Sequence, residues 1–273
     1  MLKTTPCAKI NLGLYVTERR ADGYHNLETV FYPIPLCDEL EVELGNGTDE
    51  FLCEGLSVAG DPNDNLVMRA VRVLRDKGYV VPPLRIRLTK HIPSGAGLGG
   101  GSSDAAFAMR MVNELCDLHL SNEEMEQMLT PLGADCPFFV SAKPVFATGI
   151  GNVFTPIDLS LQGLWLLLVK PDDFVSTREA YSHVHPQKPQ HDLQKSILRP
   201  IEEWAKIIGN DFEESVFPQH PTIADIKQRL YEGGALYAAM SGSGSSVYGI
   251  FRHEPSKELQ RSFLPHFVFP AQL

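Results

Sequence analysis

The run Pro93-Ser94-Gly95-Ala96-Gly97-Leu98-Gly99-Gly100-Gly101-Ser102-Ser103 combines five glycines with three serines. Glycines let a backbone approach a ligand without a Cβ clash. Where such a run opens a helix, unpaired N–H groups and the helix dipole, worth about half a charge, converge on one spot and favour an anion. Its natural guest is a di- or triphosphate. Four other places carry chemically useful groups. Lys9 and Asn11 share one face of a strand, about 7 Å apart; taken alone, a solvated strand face explains them. Tyr24 and His25 follow Asp22-Gly23 in a polar turn. The pair is either incidental or holds a planar ring by stacking and hydrogen bonding. Asp135 is a lone carboxylate in the apolar stretch Gly133–Phe139, just before a proline suited to a helix start. It reads as an N-cap, as an acidic group held at a site, or as both. Ser241-Gly242-Ser243-Gly244-Ser245-Ser246 is a second Gly/Ser turn. It makes either a tight hairpin or a second wall of a phosphate site.

The elements around the glycine run predict strand, loop, helix. Leu84, Ile86 and Leu88 alternate with Arg85, Arg87 and Thr89, a strand with one buried face. Ala105, Ala106, Met109, Val112 and Leu115 recur at helical spacing, with Ser102 or Ser103 as the expected N-cap. A glycine cluster is often a plain loop, and this flanking order argues against that. Elsewhere the period-2 series Ala8, Ile10, Leu12, Leu14, Val16 predicts a first strand. Further strands are expected over Thr29–Leu36, Leu40–Leu44, Val145–Thr148, Val153–Ile157, Leu164–Val169, Leu236–Met240 and Val247–Phe251. A helix entered through Asp61-Pro62-Asn63-Asp64-Asn65 spans about 66–77. Ser121 with Glu124, and Ser176 with Glu179, are capping boxes for two more helices, the second carrying Tyr181. Helices are also expected over Leu193–Ile208, Asp211–Phe217 and Thr222–Tyr231.

Three known phosphate loops compete for the glycine run. A Walker A loop needs Gly-Lys-Ser/Thr at its end, and no lysine is present. A protein-kinase loop needs partner motifs, and His-Arg-Asp and Asp-Phe-Gly are missing. Gly95, Gly97 and Gly100 meet the dinucleotide pattern GxGxxG literally. The acidic residue expected about 20 residues on, at a strand end, falls here in Cys116-Asp117-Leu118-His119, at a helix end.

At 273 residues, with 43% apolar and 21% charged residues, the chain has the size and composition of a soluble protein of one large or two smaller domains. A net charge of −10 argues against nucleic-acid binding, which needs basic patches. The five cysteines are scattered without metal-ligand spacing and read as reduced thiols in a cytoplasmic protein. No signal segment or membrane span is expected. The His183–His191 stretch reads as a solvated loop rather than a metal site.

Together these pieces resemble the GHMP kinase superfamily. Pro6-Cys7-Ala8-Lys9-Ile10-Asn11-Leu12, the run Pro93–Ser103 and Ser241-Gly242-Ser243-Gly244 match its three motifs in order. Arg20-Ala21-Asp22-Gly23-Tyr24-His25, Gly97–Ala106 and Gly133–Phe139 resemble the branch that acts on a cytidine-diphosphate alcohol. The likeness spans nearly the whole chain, with no motif to align over His183–Trp204. It implies a two-domain α+β fold with the active site in the interdomain cleft, residues 1–157 forming the ATP-binding domain and 158–273 the second. It implies ATP-dependent phosphorylation of the 2-hydroxyl of 4-diphosphocytidyl-2-C-methylerythritol, with Mg2+ accompanying the nucleotide and Ser103 as a candidate hydroxyl ligand. By motif position it gives Lys9 and Asp135 the catalytic roles, Pro93–Ser103 the ATP, and Asn11, Tyr24 and His25 the substrate; the family's threonine and aromatic that clasp the cytidine side are placed at Thr177 and Tyr181. Its partners are small molecules, with neither nucleic acid nor membrane, and the chain is a monomer or homodimer. Other readings are a mevalonate- or homoserine-type kinase, a GHMP-fold module without catalysis, or a nicotinamide-dependent oxidoreductase.

Overall fold

The computed structural model describes residues 1–57 and 64–273. The expected helix entry at Asp61, Pro62 and Asn63 lies outside the described residues. Twelve strands are described: β1 Leu2–Thr4, β2 Cys7–Arg19, β3 His25–Cys37, β4 Glu39–Leu44, β5 Glu50–Gly55, β6 Leu84–Lys90, β7 Val145–Thr148, β8 Val153–Pro156, β9 Trp165–Lys170, β10 Tyr237–Met240, β11 Val247–Phe251 and β12 Phe267–Gln272. They form three four-stranded sheets, ordered β1-β4-β6-β5, β2-β3-β7-β8 and β10-β11-β9-β12. With the helices this is an α+β protein. Two compact units share the chain. The first comprises Met1–Lys9, Leu36–Ser94 and Gly99–Lys143, and the second Ile10–Pro35, Gly95–Leu98 and Pro144–Leu273.

In the first unit, β6 follows the expected alternation. Leu84, Ile86 and Leu88 are buried, while Arg85 on the other face pairs with Glu43 and Glu50 of the strands beside it. The buried face is covered by helices. Leu66–Asp76 presents Val67, Ala70, Val71 and Leu74, and packs against Gly100–Leu115. Asn65 caps the former, its Oδ1 accepting from Val67 N at 2.9 Å. The Ser121–Glu124 capping box forms in full. Two strands of this sheet, β1 and β5, had no clear sequence signal: β1 has three residues, and β5 is a half-exposed edge.

In the second unit, β9 lies between β11 and β12. Leu166, Leu167, Leu168 and Val169 are all fully buried, so both faces of the strand are covered, which explains an apolar run without alternation. The core joins Leu14 and Val16 of β2 to Leu167, Val169, Met240 and Val247 of this sheet. The helix expected over 193–208 is instead two, Leu193–Ser196 and Ile201–Ile207. Pro200 lies between them and has no N–H to continue the first. The helix Lys257–Ser262 and β12 extend beyond the last expected strand.

Candidate active site

The helix after the glycine run begins at Gly100, with Gly99 at its N-cap in the left-handed region, φ 70°. Ser102 and Ser103, expected to cap it, lie inside its first turn. Crowding explains why glycine holds the cap. A Cβ on Gly99 would stand 2.8 Å from the Phe139 ring and 3.3 Å from Lys9 Cε. Ser103 N–H donates the first helical bond to Gly99 O at 2.9 Å. Gly99 has no side chain with which to cap the N–H groups of the first turn, which leaves that place to an anion.

Lys9 enters this place from β2. That strand is buried on both sides: Ile10 and Leu12 are fully covered, and Lys9 and Asn11 are each only 3% exposed. The solvated-face reading of these two residues is therefore overturned. Lys9 Nζ lies 3.3 Å from Asp135 Oδ2, with the lysine side chain 4% and the aspartate 33% exposed. Asp135 is not an N-cap. The short helix Phe138–Ser141 has Pro137 at its N-cap and no side-chain capping bond. With no helix N–H to accept from, the carboxylate faces the lysine, and its exposed part can meet a ligand.

Beneath the first helical turn lies a charged cluster that sequence reasoning missed. Lys90 Nζ donates to Asp38 and, at 2.6 Å, to Asp104 Oδ2. Asp38 Oδ1 also accepts from the N–H groups of His91 (2.5 Å) and Ile92 (2.8 Å). All three side chains are buried. Burial opposes the Lys90 charge, but Asp104 and Asp38 outweigh it and hold its pKa above the ordinary value. For Asp104, burial outweighs the pull of Lys90 and pushes the carboxyl up to about 7. The signal was faint: Asp38 and Lys90 each sit next to a strand signal, and only the fold brings them together.

In the second unit, Gly97 and the Ser241–Ser246 turn interlock. Ser241 Oγ donates to Gly97 O at 2.8 Å and accepts from Asn11 N at 3.3 Å. Ser246 N donates to Ala96 O at 3.2 Å. A Cβ on Gly97, φ 75°, would fall 2.0 Å from Ser241 O. Asn11 Nδ2 donates to Thr29 Oγ1 at 2.9 Å, and its carbonyl accepts from the buried Tyr248 hydroxyl. Asn210 was also missed. Its Nδ2 donates to the carbonyls of Met240 (2.8 Å) and Gly242 (2.9 Å), and its Oδ1 accepts from Phe212 N. A lone buried asparagine before a helix looks like a cap in the sequence, so its hold on the turn was hidden.

The residues expected at the cytidine side also lie in this unit. His25 stacks on Tyr181, centroids 4.7 Å apart and planes at 20°, and Tyr181 meets Phe212 edge-on. Burial first, and then Arg19, lower the His25 pKa, which favours the neutral ring. Tyr24 is 62% exposed, on a turn fixed by Arg20 N donating to Tyr24 O and Tyr24 N donating to Asp22 Oδ1. Thr177 is exposed in the first turn of the helix Thr177–Ser182.

The model for the GHMP kinases N terminal domain matches residues 65–143, and that for the GHMP kinases C terminal matches 191–268. A 4-diphosphocytidyl-2-C-methyl-D-erythritol kinase of Bacteroides fragilis is 54% identical over 273 residues, 99% of each chain. The chain belongs to the GHMP kinases, in the family of 4-diphosphocytidyl-2-C-methyl-D-erythritol kinases. The enzyme of that name from Cytophaga hutchinsonii is 44% identical over 92% of each GHMP kinase chain. A crystal structure of 4-(cytidine 5'-diphospho)-2C-methyl-D-erythritol kinase superposes with a TM-score of 0.82 at 28% identity, covering 100% of both chains. The Methanococcus jannaschii mevalonate kinase shares the GHMP kinase fold, with a TM-score of 0.71 at 15% identity over 100% of this chain and 98% of that one. Among the described residues no helix is long and apolar enough to cross a membrane.

Proposed function

We propose that this chain uses ATP to phosphorylate the 2-hydroxyl of 4-diphosphocytidyl-2-C-methyl-D-erythritol, giving the 2-phosphate and ADP in the non-mevalonate route to isoprenoid precursors. The observation that carries this reading is the Lys9–Asp135 pair set beside the Gly99 helix start, in a chain 54% identical to a kinase of that name. We read it as a cytoplasmic enzyme acting as a monomer or homodimer on a small molecule.

Phosphoryl transfer asks for positioning and charge stabilisation more than covalent help. The N–H groups of the glycine run Pro93–Ser103 hold the ATP phosphates. Lys9, buried and fixed on β2, balances negative charge on the transferring group. Asp135 accepts a hydrogen bond from the attacking hydroxyl. An alcohol is about as weak an acid as water, pKa ~15.7, far above any ordinary carboxylate. Early deprotonation is therefore unfavourable, and Asp135 orients the hydroxyl and receives its proton late. Asn11, Tyr24, His25, Thr177 and Tyr181 recognise the substrate, the aromatic rings taking the cytosine side.

Mg2+ accompanies ATP in this reading as the phosphates' counter-ion. The residue expected to hold it, Ser103, does not fit. Among the described residues no three His, Cys, Asp or Glu side chains group to hold a metal. The Ser103 hydroxyl, the expected ligand, is closed off from solvent, whereas Mg2+ keeps several of its waters. No step here runs through a metal.

The test is ADP release with Mg-ATP and each of 4-diphosphocytidyl-2-C-methylerythritol, mevalonate and homoserine. Release only with the cytidine substrate is expected. Release with another alcohol would discard the substrate assignment, and no release with any would favour a module without catalysis. Asp135→Asn should lower turnover about 10²–10⁴-fold while ATP still binds. Turnover within a few-fold of wild type would remove the role given to Asp135.

A further inference from the structure

The helix Thr177–Ser182 opens on a capping box that is only half made. Ser176 Oγ accepts from Glu179 N at 3.1 Å. A complete box would turn the Glu179 carboxylate back onto the Ser176 N–H. Instead Glu179 Oε1 lies 2.8 Å from His220 Nε2. The other ring nitrogen, Nδ1, lies 3.4 Å from Asp173 Oδ1. Among the described residues, Asp173 and Glu179 are the charged groups that face the imidazole. His220 immediately precedes the helix Pro221–Glu232, whose Ile223, Ile226 and Leu230 are fully buried, so the ring is mounted on a fixed base.

Of its two partners, one precedes the segment that carries the expected cytidine contacts and the other lies within it. Asp173 is tied to the Gly/Ser turn, its carbonyl accepting from Ser245 Oγ at 2.6 Å. Its neighbour Phe174 stands over Gly95, with a ring atom 3.1 Å from where a Cβ there would lie. Glu179 sits between Thr177 and Tyr181 on one short helix of six residues. A helix so short has little stability of its own and depends on tertiary contacts.

We propose that His220 is a positioning residue for the known reaction: protonated, it clamps the helix Thr177–Ser182 to the Asp173 loop and so holds Thr177 and Tyr181 in place for the cytidine side of the substrate. This rests on the reading that those two residues contact that side. Only the imidazolium can donate to both carboxylates; the neutral ring has a single N–H and turns a lone pair to one of them. Glu179 first, and then Asp173, raise the His220 pKa against the effect of burial. The clamp is therefore complete below the unfolded histidine's pKa and is lost as pH rises through the higher folded value.

Steady-state kinetics of the full chain at about pH 6 and about pH 9 bracket that transition. In the wild type, KM for the cytidine substrate should rise about five-fold between them, with KM for ATP little changed. His220→Gln and, independently, Glu179→Gln should raise KM for the cytidine substrate at the lower pH and flatten its pH dependence. A wild-type KM that is flat with pH, or a variant that keeps the wild-type profile, would overturn the clamp. So would an effect falling equally on ATP. Tyr181→Ala separates the two levels. If it leaves KM for the cytidine substrate unchanged, the reading of the site is wrong. If it raises KM while His220→Gln does not, only the clamp is wrong.

Discussion

Asp104→Asn should make this protein more stable above neutral pH, although it removes half of a buried ion pair. Lys90 is flanked by two buried carboxylates, Asp38 and Asp104, so one positive charge faces two negative ones with little water to screen them. Asp38 already has Lys90 and two backbone N–H groups, whereas Asp104 Oδ1 has no hydrogen-bond partner. Burial is the main reason that the Asp104 carboxyl is pushed up from 3.8 to about 7. Between those values the folded chain holds a proton that the unfolded chain has released, so stability falls as pH rises through that window. At about 1.4 kcal/mol per pH unit, the full loss is on the order of 4 kcal/mol. An asparagine has nearly the same shape, accepts from Lys90, and cannot ionise. The two proteins should be similar in stability at about pH 5, and the variant more stable by roughly 2–4 kcal/mol at about pH 8.5. Urea unfolding followed by far-ultraviolet circular dichroism at both pH values measures this. Tryptophan fluorescence is the poorer probe, because Trp165 and Trp204 both belong to the second unit. A variant less stable than wild type by the same amount at both pH values would refute the reasoning, since it would mean that Asp104 is ionised throughout and worth its pairing.

Other expectations follow from the same geometry. Gly97→Ala puts a methyl group 2.0 Å from the Ser241 carbonyl oxygen, a backbone atom that cannot swing aside; ATP binding by calorimetry should be abolished, and affinity within two-fold of wild type would contradict the interlock. Gly99→Ala meets a left-handed φ, costing about 1–2 kcal/mol, and presses on Phe139 and Lys9; turnover should fall more than ATP affinity, as measured by initial rates beside a binding titration. Asn210→Ala leaves the buried carbonyls of Met240 and Gly242 without its amide and should cost about 2–4 kcal/mol in urea unfolding. The Cys136 thiol is pushed up to about 11, chiefly by burial; it should resist thiol reagents at neutral pH until the chain unfolds, and mass spectrometry of the labelled native protein would detect the contrary.

Periodicity carried well where one short stretch decides the outcome. The alternation in Leu84–Leu88, the helical spacing after Gly101, and the box at Ser121 and Glu124 all appear in the structure. It failed where a partner distant in sequence competes. Ser102 and Ser103 looked like caps, but Phe139 and Lys9 crowd position 99 and leave only glycine comfortable there. Asp135 looked like a cap, and its carboxylate turns to Lys9 instead. Glu179 looked like the return arm of a box, and His220 takes it. In each case the local option was chemically sound, and a partner from another part of the chain won.

The glycine run, the strand before it, the helix after it and the motif order that marks a GHMP kinase are properties of residue type and short spacing, which backbone sterics and side-chain burial translate directly into local form. The burial of Lys9 and Asn11, the cluster of Lys90 with Asp38 and Asp104, and the hold of Asn210 on the Ser241 turn came only with the tertiary structure. A strand's polar face does not announce whether water or another layer will cover it, and a charged side chain does not encode which distant carboxylate will meet it. Those outcomes depend on how sheets and helices stack, a matter of many weak contacts between residues far apart in the chain.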